Sequence, residues 1–148
     1  MPDDITKGLL TDIGTEELGH LEMVGTLVTQ LCKGAPPKEW NEMQSYEYYA
    51  DNGASVFPQS SQGVPFNAAS IAVTGDPLTN LYENLAAEQK ARAVYDNILK
   101  LSDDPDVNDV IKFLRQREIT HFQRFGEALN NLQAKMCEKN NFFMGLKK

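Results

Sequence analysis

A chain of 148 residues is one domain's worth and is long enough to bury a sizeable core. Its 21 Asp and Glu against 14 Lys and Arg leave a net charge of -7. That balance argues against nucleic acid or an anionic membrane surface as a partner and suits the attraction of cations, although it more often serves solubility alone. The N-terminus is not signal-like and no long apolar span occurs. Cys32 and Cys137 fall near the ends of different predicted helices, with no metal-ligand spacing around either. A reduced, cytosolic setting is therefore the default, and both thiols read as structural or incidental.

The first predicted helix covers residues 4–33, about 45 Å at 1.5 Å per residue. Asp3 or Asp4 can cap its start, and Gly34 followed by Pro36 and Pro37 ends it. Leu10, Ile13, Val24, Leu27 and Leu31 form an apolar stripe at steps of three and four, and the gap in it is filled by Glu17 and His20. Residues three apart share a helix face, so this carboxylate and this imidazole point inward and reach one place. Burying them costs several kcal/mol or more unless they are paired or bind a metal. A second strip, Gly14, Leu18, Leu21, Gly25 and Val28, predicts that the helix is covered on more than one side.

Periodicity fails over residues 35–75. A short helix is expected at 38–50, with Trp40, Met43, Tyr46 and Tyr49 on one side, and turn signals follow at Asp51-Asn52-Gly53, Phe57-Pro58, Gly63-Val64-Pro65 and Thr74-Gly75. So long a connection is what joins two parallel helices at opposite ends of a bundle. Its aromatics, including Tyr48 and Phe66, would pack it there.

Asp76-Pro77 opens the second helix as N-cap and first helical residue, and the pattern runs to about Leu101. Its seam is Leu78, Leu81, Leu85, Glu88, Arg92, Tyr95 and Leu99, flanked by Ala87, Ala91, Val94 and Ile98. Glu88 is a lone carboxylate in an apolar stripe. Arg92, one turn on, offers an ordinary i, i+4 ion pair as its explanation.

Ser102-Asp103-Asp104-Pro105 makes a short turn into a third helix over 105–136, so the second and third helices lie antiparallel. Its stripe is Val107, Ile111, Leu114, Glu118, His121, Phe125, Ala128 and Leu132. Counting along both arms from the turn puts Glu88 and His121 within a helical turn of one height. The chain has two histidines, and each follows a glutamate by three residues. With 11 Glu available, chance would produce this roughly once in two hundred sequences.

A Glu-x-x-His helix, a long crossover, a Glu on the next helix and a second Glu-x-x-His resemble the ferritin-like dimetal-carboxylate pattern. The segments at 12–23, 63–66, 74–77, 86–92 and 117–122 resemble the manganese catalases, in particular their short spore-coat members, over residues 6–132. The resemblance implies an all-α, ferritin-like bundle of a single domain, with three of its usual four long helices present. It implies Glu17, His20, Glu88 and His121 as ligands of two manganese ions, and Glu118 as a non-ligand that assists proton movement. The implied reaction is disproportionation of hydrogen peroxide to water and oxygen. Carboxylates bridge hard cations, imidazoles add one neutral ligand each, and an apolar shell confines the chemistry. Tyr95 and Arg92 are candidates for supporting contacts, with core and ion-pair packing as the alternative for each.

The family pattern has a further helix before the one bearing Glu17, with a fifth protein ligand, and this sequence starts after it. Either it is truncated there or another chain supplies that face. A homo-oligomer is expected, because the uncovered apolar strip would otherwise stay wet. The setting would be the cytoplasm or the spore coat. An iron-binding oxidase would use the same ligand types, and a mainly structural coat protein would keep the bundle without turnover.

Overall fold

The computed structural model describes residues 1–33, 64–65, 67–70 and 73–138, without the side chains of Cys32, Ser70, Cys137 and Glu138. The helix expected at 38–50, the stop at Gly34 and the crossover aromatics lie outside these residues. Three long helices are present among them: α1 (Asp4–Cys32), α2 (Pro77–Leu101) and α3 (Pro105–Glu138), with one 3-10 turn at Ala68–Ser70. None is long and apolar enough to cross a membrane. The chain divides into two compact units, Met1–Val24 with Thr74–Lys148, and Gly25–Val73. The ionisable seam residues all belong to the first.

Each helix starts where local chemistry supplies acceptors for its free N–H groups. Asp3 accepts from the Thr6 N–H at 2.9 Å and so is the cap of α1. Asp76 accepts from Leu78 and Thr79 at 3.2 and 3.4 Å, just after Gly75, whose φ of +80° is left-handed and suits glycine. Asp104 serves α3 in the same way, accepting from Asp106 and Val107.

Pairs between helices fix their directions. Between α1 and α3, Asp3 meets Lys135 at 3.9 Å, Asp12 meets Arg124, and Glu16 meets Arg117 at 2.6 Å, so early residues pair with late ones. Between α2 and α3, Asp96 pairs with Arg115, and Gln133 donates to the Tyr82 hydroxyl at 3.2 Å. Both α1 and α2 therefore run antiparallel to α3 and parallel to one another. No tight turn can join parallel neighbours, which accounts for the long connection.

The predicted seams supply the core, except that Leu31 at the end of the α1 stripe is 55% exposed. Ile13, Leu81, Phe125, Ala128, Leu129 and Leu132 are buried together, with Leu9, Leu10, Leu78, Leu85 and Met136 against them. Ile111 and Leu114 are buried further toward the start of α3. The ionisable residues occupy the layer between these two apolar regions.

The second strip of α1 behaves differently from its expectation. Leu18 and Leu21 are 68% and 70% exposed, and a Cβ at Gly14 or Gly25 would meet nothing within 4 Å. The α1 face that meets α3 is the one carrying Ile13, Glu17 and His20, which leaves this strip open in the single chain. Val94 on the flank of α2 is exposed as well.

Leu81→Ala, which empties a fully buried site, should lower unfolding free energy by about 2–5 kcal/mol in chemical denaturation. Asp76→Ala should cost about 1 kcal/mol through loss of the α2 cap. If the two variants proved equally stable, the core assignment would be wrong.

Candidate metal centre

One layer of the bundle carries the buried charge of the described residues. Glu17 and His20 come from α1, Glu88 from α2, and Glu118 and His121 from α3. His121 has no exposed surface, and Glu118, His20 and Glu88 are 3%, 6% and 7% exposed. Glu17 is the exception, with 42% of its side chain accessible. Ligand atoms of Glu17, Glu88, Glu118 and His121 all lie within 4.8 Å of one another. His20 adjoins this group, its Nδ1 3.2 Å from Glu17 Oε2 and 3.6 Å from Glu118 Oε1.

The two imidazoles stack with centroids 5.6 Å apart and planes 18° from parallel. Glu17 spans them: Oε2 faces His20 Nδ1, while Oε1 is 2.8 Å from His121 Nδ1. Glu88 Oε2 approaches the same His121 nitrogen at 3.7 Å. The four residues with predicted ligand roles and Glu118 are thus brought together.

These groups satisfy one another only in part: His20 Nδ1 and Glu17 Oε2 share a hydrogen bond at 3.2 Å, whereas other atoms of the cluster have none. Glu17 Oε1, Glu118 Oε1 and His121 Nδ1 are buried and lack hydrogen-bond partners. The 2.8 Å approach of Nδ1 to Oε1 is therefore a close contact without hydrogen-bond direction. Burial first, then a hydrogen bond with Glu118 and the charges of Glu118 and Glu17, push the Glu88 carboxyl up to about 9. Three carboxyl groups in so little space cannot all ionise without a cation. Burial raises the Tyr95 phenol, and the charges of Glu118, Glu17 and Glu88 add to it, so Tyr95 feels the cluster.

Arg92 does not. Its guanidinium bonds Asp96 at 2.7 Å and Gln89 at 3.0 Å, so the ion pair that offered an ordinary alternative for Glu88 is not formed. A guanidinium favours the partly exposed Asp96 over a buried carboxyl it could reach only by desolvation. Glu88 is consequently left to the cluster.

Glu16 was outside the predicted set. Its Oε2 accepts from His121 Nε2 at 3.0 Å and from Arg117 at 2.6 and 3.1 Å, and Arg124 reaches Oε1 at 3.5 Å. The hydrogen bond from His121, followed by those from Arg117, holds its carboxyl below the ordinary range. Arg117 and Arg124, seven residues apart, share a face of α3 and were the available signal of a carboxylate opposite.

A family model described as manganese containing catalase matches residues 1–141. The chain belongs to the manganese catalase family. It is 46% identical over 142 residues to Protein CotJC of Bacillus subtilis (strain 168), covering 96% of this chain and 75% of that one. A probable manganese catalase of Clostridium acetobutylicum is 35% identical over 138 residues, covering 93% and 61%. The crystal structure of KatB, a manganese catalase from Anabaena PCC7120, superposes with a TM-score of 0.74 at 31% identity over all of this chain and 64% of that one. The architecture is the ferritin-like bundle of this manganese catalase family, and the chain spans under two thirds of the two catalase relatives.

Glu88 sets a pH dependence for the metal-free manganese catalase-type chain. Unfolded, its carboxyl ionises near 4.5, whereas folded it keeps its proton to about 9. Between those values the folded state holds the extra proton, so stability falls as pH rises. Glu16 and Asp96, both held low, act below this window. The melting temperature should therefore drop between about pH 5 and pH 9 in the wild type and much less in Glu88→Gln. Parallel curves for the two proteins would refute this assignment.

Proposed function

We propose that the chain holds two manganese ions through Glu17, His20, Glu88 and His121 and disproportionates hydrogen peroxide to water and oxygen. The observation that carries the reading is the set of buried, unpartnered acceptors, Glu17 Oε1, Glu118 Oε1 and His121 Nδ1, facing one another. Carboxylate oxygens with one imidazole nitrogen per ion form a donor set suited to hard divalent cations. Bound there, the manganese pair would supply the reversible redox change that peroxide disproportionation requires.

The chain's own residues have distinct tasks in this reading. Glu17 would help hold both ions, because its two oxygens face different imidazoles. Glu88 gives up its proton to become a ligand, so metal uptake is linked to proton release. Glu118 Oε1, buried beside the cluster, takes up and returns the protons that O–O cleavage and peroxide oxidation exchange. Ile13 and Leu114 wall the layer from water, and the accessible side of Glu17 is a route for a molecule as small as peroxide.

Metal analysis and an oxygen electrode test this directly. His121→Ala should abolish tight manganese binding, whereas Glu118→Gln should retain most of the metal and slow oxygen release by about 10²–10⁴-fold. Equal metal loss in both would make Glu118 a ligand. Iron retained in preference to manganese, with no oxygen release, would favour the oxidase alternative.

The open side of the site favours a second reading, a coat-type bundle that binds metal and turns over little. The exposed Leu18 and Leu21 border that side. We take the 148 residues as a single domain that self-associates through this face, in the cytoplasm or the spore coat, as the short spore-coat type it resembles suggests. Leaving several hundred Å² of apolar surface wet forgoes roughly 10 kcal/mol. Sedimentation across a dilution series should reveal a dimer or larger assembly, and Leu21→Glu should dissociate it. A compact monomer at every concentration would contradict self-association.

A further inference from the structure

The role of Glu16 follows from which nitrogen of His121 it touches. An ionised carboxylate accepts hydrogen bonds and donates none. Its Oε2 sits 3.0 Å from His121 Nε2 in hydrogen-bonding geometry, so Nε2 must carry the hydrogen. The opposite tautomer would set two bare acceptors against each other. Arg117 grips the same oxygen through Nε and Nη2, and Arg124, itself tied to Asp12, reaches the other one. The carboxylate is thereby fixed from α3, although it belongs to α1. The ring has no exposed surface and is stacked on His20, so it has little freedom to turn away.

With the hydrogen on Nε2, the lone pair of the neutral ring is on Nδ1, the atom that faces Glu17 and Glu88. Among the described residues, the rival at similar distance is a bond from Nδ1 to Glu17, and it lacks the geometry of a hydrogen bond. Glu16 is not itself a candidate ligand, because its oxygens are taken up by Nε2 and the two guanidinium groups on the far side of the ring.

We propose that Glu16 is a positioning residue: by accepting from His121 Nε2 it fixes the tautomer and orientation that make Nδ1 the metal-ligating atom of this histidine. The ligating part rests on the metal reading above, whereas the tautomer part does not. A partner of this kind fixes the ring and raises the basicity of the ligating nitrogen, and its loss typically costs 10–100-fold in metal affinity.

Two readouts separate the parts. Nitrogen NMR of the metal-free, histidine-labelled chain, assigned with His20→Gln, should find the neutral His121 ring protonated at Nε2. In Glu16→Ala the proton should move toward Nδ1. Manganese affinity, measured with the metal alone, should fall 10–100-fold in Glu16→Ala and less in Glu16→Gln, whose amide oxygen can still accept. The nearly isosteric Glu16→Gln serves if the alanine variant does not fold; its tautomer populations should then be mixed. A wild-type ring protonated at Nδ1, or populations unchanged by either variant, overturns the proposal, as does a switched tautomer with unchanged affinity. If the wild type binds no manganese, the metal reading fails, and the tautomer result still decides the role of Glu16.

Discussion

Three carboxyl groups and two imidazoles packed into one buried layer form an electrostatic problem that the rest of the bundle is arranged around. Glu17, Glu88, Glu118 and His121 bring ligand atoms within 4.8 Å of each other. Burial alone disfavours their charges, and mutual repulsion adds to it. Without metal, the layer can answer only by keeping a proton, which is what the raised carboxyl of Glu88 does. A divalent cation answers better, because it meets several oxygens at once and needs no hydrogen-bond direction. Structure and proposed function thus meet in one requirement, positive charge at the centre of an apolar seam.

The helices deliver that layer through register. Because α1 and α2 both run against α3, the midpoints of all three seams fall at one level, with Ile13, Leu81 and Phe125 on one side and Ile111 and Leu114 on the other. Apolar packing supplies the stability that an ionisable layer does not. Charged pairs further out, Asp96 with Arg92 and Arg115, and Asp12 and Glu16 with Arg117 and Arg124, lock the helices in that register. They are partly exposed, so each contributes little individually. Their value lies in direction: they turn the arginines away from the buried carboxyls and, at Glu16, hold an acceptor against His121.

Much of this was legible in the residues. The three seams, the caps at Asp76 and Asp104 and the level match of Glu88 with His121 follow from helical periodicity and a short turn, both local properties. The Glu-x-x-His spacing was legible for the same reason. Two features were not. Arg92 has Glu88 one turn before it and Asp96 one turn after it, and spacing cannot choose between them; burial does, favouring the accessible partner. Glu16 lies beside the stripe and finds its partners on α3, a hundred residues later, so only the packed register reveals it. The strip of Leu18 and Leu21 is apolar in the sequence, but periodicity states which face is apolar and not what covers it.

The proposed function requires this layer to hold two metal ions. Anomalous scattering at the manganese edge from crystals of the manganese-loaded chain tests it most directly. Two peaks are expected in the seam beside Glu17, one near His20 and the other near His121 Nδ1 and Glu88. Manganese found only on the acidic surface, with the seam holding protons or water in its place, would contradict it.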